Sequence, residues 1–101
     1  MGWKNEFEEM IIRMAAAAFS PAEISYALGI DHTTFDTWMH DDEHPASIAF
    51  FKGFYSSELT VRESVFMLAR SGSSPAQTLA IKLIDETRKK IKRAGYTKEE
   101  I

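Results

Sequence analysis

The chain has 101 residues and a net charge of −3, which suits one domain or two small helical units, and its 45% hydrophobic residues can bury a small core. It contains no cysteine, which excludes disulfides and thiolate metal sites and agrees with a reducing cytoplasm. No apolar run approaches the roughly 18 residues of a membrane span, and residues 1–4 carry no signal-peptide pattern, so no membrane partner and a cytoplasmic location are expected.

Residues 3–19 read as a first helix. Trp3, Phe7, Met10, Ile11 and Met14 repeat with helical spacing, while Glu6, Glu8, Glu9 and Arg13 occupy other faces. The alanine run at 15–18 lets other helices approach closely and is expected to pack against the two that follow. Trp3 is read as an anchor of the core or its edge.

Residues 20–40 are the most informative stretch. Ser20 is a good N-cap, Pro21 suits the first helical position, and Glu23 stands where a capping box places its acid. Ile24, Ala27 and Leu28 mark an apolar face, Gly29 supplies a left-handed helix end, and Ile30 fills the corner. Asp31 can cap the next helix, whose Phe35, Trp38 and Met39 point to the core. The pattern is a helix-turn-helix. On the outer side of its second helix fall His32, Thr33, Asp36, Thr37 and His40, short hydrogen-bonding residues of the kind that contact base edges and phosphates.

Between Asp41 and Pro45 lies an acidic connection. His40 and His44 are four apart, but a metal-binding pair at that spacing needs an unbroken helix, and Pro45 disfavours helix at His44, so a solvated loop without metal is expected. Residues 46–71 then read as a long helix with an apolar stripe of Phe51, Phe54, Tyr55, Val61, Val65, Leu68 and Ala69, bent near Gly53. Gly72 to Pro75 break it. Ser74, Pro75 and Gln77 resemble a second capping box, opening a helix that runs to about residue 93 with Ala76, Leu79, Ala80, Leu83, Ile84 and Ile91 on one face. So short a connection makes the two helices antiparallel neighbours. The expected fold is all-α: a helix-turn-helix three-helix unit at 1–44, then a long antiparallel helical hairpin at 45–101 that builds an oligomer.

Charge divides along the chain. Residues 1–50 hold two basic and nine acidic residues, a net of −7, while residues 51–101 hold ten basic and six acidic, a net of +4. The basic cluster of Arg88, Lys89, Lys90, Lys92 and Arg93 can complement the helix dipole, contact DNA or meet an acidic partner, including the acidic half of a neighbouring subunit. No nucleophile–base pair, phosphate-binding glycine loop or metal-ligand set appears, so neither an enzyme nor a cofactor is expected.

The order of parts carries a resemblance. A helix-turn-helix with Ile24, Leu28, Gly29, Ile30, Phe35 and Trp38 is followed by a short His44-Pro45 connection, a long helix with Gly53 near its start, an end at Ala69 to Gly72, and a second amphipathic helix. Over about residues 6–93 this resembles the small subunit of tailed-phage terminases. The resemblance implies a non-catalytic, ring-forming protein of the bacterial host cytoplasm that binds double-stranded DNA at the packaging site and presents it to the terminase large subunit. Carried over by position, the DNA face is His32, Thr33, Asp36, Thr37 and His40. The chain departs from the family in its shortness and in the acidity of its reading unit. A dimeric transcriptional regulator of a phage or mobile element, and a protein-interaction module without DNA binding, are the competing functions.

Overall fold

A computed structural model describes residues 2–96. Among these residues the fold is all-helical, with five helices and no strand: α1 Phe7–Ala16, α2 Pro21–Leu28, α3 His32–Met39, α4 Pro45–Arg70 and α5 Ser74–Arg93. The chain divides into two compact units, Met1–Thr60 and Val61–Ile101. Sequence patterning puts a boundary at 44/45. The first turns of α4 instead contribute Ala46, Ala49 and Phe50 to the core of the first unit.

That core contains Phe7, Ile11 and Ala15 of α1, Ile24 of α2, Ile30 of the turn, Phe35 of α3, and the three residues from α4. Helix α1 is shorter than the periodicity predicts. Ala18 adopts a left-handed φ of 68°, the N–H of Ala18 donates to Ala15 O at 3.1 Å, and that of Phe19 donates to Met14 O at 3.0 Å. These paired bonds close the helix end as glycine usually does, with alanine in the left-handed position. Only Ala15 of the alanine run is buried, and Met10 lies outside the core with 40% of its surface exposed.

Helix α4 meets α1 through its backbone. A methyl group placed on Gly53 would collide with the carbonyl oxygen of Ile12 and lie 2.9 Å from its carbonyl carbon. Gly53 therefore serves close approach, and α4 runs through it as one continuous helix, where the sequence suggests a bend. The buried face of α4 in this unit is Ala46, Ser47, Ala49, Phe50 and Gly53, mostly small residues. The large residues Phe51, Tyr55 and Leu59 remain exposed, with Ile48 on the same stripe.

Among the described residues of the second unit, only Ala76 and Ala80 of α5 are buried. The N-cap of α5 is Ser73, one residue earlier than the sequence pattern suggests, and its hydroxyl accepts from Ala76 N. Ser73 also closes α4, because its own N–H donates to Leu68 O at 3.1 Å. Gln77 does not complete a capping box. Its Nε2 donates to Ala69 O at 3.0 Å, tying the end of α4 to the start of α5. Phe66 of α4 and Leu83, Ile84 and Ile91 of α5 line an open groove of about 410 Å³ with Arg62, Thr87 and Arg88.

Two substitutions test these backbone features. Overpacking costs about 1–3 kcal/mol and a helical Gly→Ala change returns about 1. The obstacle at Gly53 is backbone and cannot turn aside, so Gly53→Ala should lower stability by about 2 kcal/mol in urea titration. A midpoint at or above the parent value would refute the close approach. Ala18→Gly should act oppositely, raising stability by about 0.5–1 kcal/mol, because glycine takes the left-handed conformation without the alanine penalty.

Candidate nucleic-acid interface

The corner between α2 and α3 is built from local hydrogen bonds. Ser20 N–H donates to Glu23 Oε1 at 2.8 Å and Glu23 N–H donates to Ser20 Oγ at 3.2 Å, the reciprocal capping box expected from the sequence. The Ser20 N–H, and after it the Ser20 hydroxyl, hold the Glu23 carboxyl below the ordinary glutamate range. This contribution to stability is therefore present above the unfolded-state value and is lost as pH falls through the folded one.

Helix α2 ends at Gly29, whose φ of 68° is left-handed. There the Ile30 N–H reaches back to Ser25 O at 2.9 Å, and Ile30 drops into the core. The apolar face of α2 differs from the pattern read in the sequence. Ile24 is buried and Leu28 half-buried, but Ala27 is exposed, and Ser25 is buried with its hydroxyl donating to Ala22 O at 2.7 Å. Helix periodicity cannot reveal Ser25, whose polarity is satisfied by its own helix.

Helix α3 starts on Asp31, whose Oδ2 accepts from Thr34 N at 3.2 Å. Phe35 is 1% exposed, while Trp38 and Met39 are half-buried against the core. The indole of Trp38 is held from two sides. His44 stacks on it with ring centroids 4.7 Å apart, and Trp3 meets it edge-on at 5.8 Å. Trp3 is thus an anchor, lying just before α1 rather than within it. His44 is no solvated loop residue. It is half-buried beneath this cluster, and its Nδ1 accepts from Ala46 N at 3.0 Å, capping α4. Among the described residues no group of three or more His, Cys, Asp or Glu side chains is placed to hold a metal ion.

The five outer residues named from the sequence, His32, Thr33, Asp36, Thr37 and His40, are all exposed on α3 and its C-cap. They fall into two linked pairs and one outlier. Thr37 Oγ1 donates to Thr33 O at 3.0 Å, which commits the Thr37 proton and leaves Thr33 the freer hydroxyl. His40 Nδ1 donates to Asp36 O at 2.8 Å and lies 3.6 Å from the Asp36 carboxylate. His32 stands apart, beside the turn, where it shares a cavity of about 250 Å³ with Ser25, Tyr26, Gly29 and Ile30. Tyr26, 88% exposed, is invisible to the sequence pattern, because a lone aromatic on the wet side of a helix carries no periodic signal.

The basic cluster lies on α5, in the second unit. Asp85 faces Lys89 at 3.5 Å and Arg88 at 4.0 Å, exposed pairs of small energetic value. Lys90, Lys92 and Arg93 occupy the last turn, where the carbonyl end of the helix favours cations. Comparison with family models, curated proteins and solved structures finds no match for this chain.

Proposed function

We propose that the chain is a non-catalytic DNA-binding subunit of a phage DNA-packaging complex, a terminase small subunit that acts as a homo-oligomer. The observation that carries this reading is the geometry of α3. One side is locked to the core by Phe35 and Trp38, and the opposite side shows only exposed, hydrogen-bonding side chains. In this reading α2 and α3 form the helix-turn-helix, and α3 enters the major groove. The end of α4 and α5 form the antiparallel hairpin of the assembly. Self-association is supported by the exposed stripe of Ile48, Phe51, Tyr55 and Leu59 on α4, and by a second unit of which two alanines alone are buried among the described residues. The neighbouring partner would be the large subunit, which carries the chemistry.

The competing reading of an interaction module without DNA binding draws on one observation, the net charge of −7 in residues 1–50. A regulator of a phage or mobile element shares the DNA face and differs in being dimeric.

Two measurements separate these readings. Thr33→Ala with Thr37→Ala should weaken binding to duplex DNA by about 1–3 kcal/mol for each hydroxyl that reaches a base or phosphate, with Thr33 the larger share, and leave helical circular dichroism unchanged. Parent-like binding would place the DNA elsewhere. Phe51→Ser with Tyr55→Ser should lower the mass seen by light scattering from that of a ring; a dimeric parent would favour the regulator, and a parent that is monomeric at high concentration would remove the assembly.

A further inference from the structure

The proposed DNA face lacks the groups that normally hold phosphates. Between Arg13 and Lys52 the chain contains no lysine and no arginine. Its potential cations there are three histidines, and the structure assigns them different chemistry. His44 receives the Ala46 N–H on Nδ1 and stacks on Trp38, so a proton added at Nδ1 would remove the cap of α4. His40 is arranged the opposite way. A carbonyl oxygen only accepts, so the 2.8 Å contact with Asp36 O makes Nδ1 the donor and leaves Nε2 to take up a proton. Protonation turns Nε2 from an acceptor into a charged donor, without breaking the bond that holds the ring. His40 also caps the C-terminal end of α3, where the helix carbonyls favour a cation. His32 is also exposed, at the other end of α3.

We propose that His32 and His40, as imidazolium ions, are the phosphate-binding groups of the outer face of α3, so that its association with duplex DNA requires protons. The inference rests on the DNA-binding reading above and adds how that site is regulated. Protonation of both rings would take the five-residue face from −1, carried by Asp36, to +1. The other charged or titratable groups around these rings are acids and a phenol. Asp36 lies 3.6 Å from the His40 ring and serves as its counter-ion. Asp41 and Asp42 follow it in the chain. Asp31 precedes His32, and Tyr26 of α2 shares its cavity. The N-terminal end of α3 disfavours a cation at His32 and the C-terminal end favours one at His40, so His40 carries the larger share.

The test uses the full chain and a fluorescent random-sequence 20-base-pair duplex, titrated at pH 6.0 and 7.5 at two salt concentrations. Binding should be at least about tenfold tighter at pH 6.0. The salt dependence there should be steeper by about 1–2 in the log–log slope, since each phosphate neutralised adds about 0.9. His32→Gln with His40→Gln, both exposed and therefore harmless to the core, should abolish the difference, and also controls for the general loss of negative charge on acidification. His32→Arg with His40→Arg should bind at pH 7.5 as the parent does at pH 6.0. Equal parent binding at both pH values overturns the proton requirement and leaves DNA binding standing. A pH effect that survives in the glutamine variant also overturns it, by assigning the effect to other groups. Binding by the arginine variant alone shows that imidazolium does not suffice, and absence of binding by either protein ends the DNA-binding reading with it.

Discussion

The passage of α4 across α1 at Gly53 and Ile12 sets the terms for the rest of the first unit. Two helices whose backbones come this close leave no room for side chains between them, so the α4 face that meets α1 must be small. Ala46 and Ala49 meet that demand, and Phe50 is the one bulky residue of this face to enter the core. A helix that spends its inward positions on alanine and glycine must display its large residues elsewhere. Phe51 and Tyr55, stacked on one another with centroids 6.0 Å apart, stand on the outer stripe for that reason. The close approach inside the unit and the apolar surface outside it have one cause.

The same constraint explains what is legible in the sequence. The N-terminal signals of α2 and α3 are readable because Ser20, Glu23 and Asp31 act within one turn of themselves. The exposed face of α3 follows from those boundaries and from the placement of Phe35 and Trp38. Helix α4 is legible nearly to the residue, but its apolar stripe does not reveal the face that it buries in the first unit. Periodicity weighs large apolar residues, and here the large ones face solvent while small ones pack. Helix α1 reads too long for a related reason. Four consecutive alanines look helical by propensity, and nothing local announces that Ala18 turns left-handed. The role of His44 is hidden because its partners, Trp3 and Trp38, are separate in sequence, and a stack between them leaves no trace in spacing.

Trp38 connects this packing to the proposed function. It is the residue through which Trp3, Phe35 and His44 fix the rotation of α3 about its own axis. With that rotation set, the outer face is determined, and Thr33, Asp36, Thr37 and His40 are presented together. The side chains of Thr37 and His40 bond along the helix to backbone carbonyls, which orients them at small cost and leaves them accessible. A recognition surface needs this combination of a fixed support and accessible outer groups.

Electrostatics then decides how such a surface could hold DNA. A single face of five short side chains, one of them a carboxylate, reaches few phosphates, and the attraction that usually draws a protein to duplex DNA scales with the number of phosphates neutralised. Weak sites become effective when several are carried on one frame, because after the first engages the others act at a high local concentration. The apolar stripe on α4 is the surface that could provide such a frame, and it lies on the helix that supports the reading unit through Gly53. Assembly and binding would therefore be coupled through one helix. The number of faces brought together, more than the strength of any one, would set the affinity, and each face alone would remain easy to release.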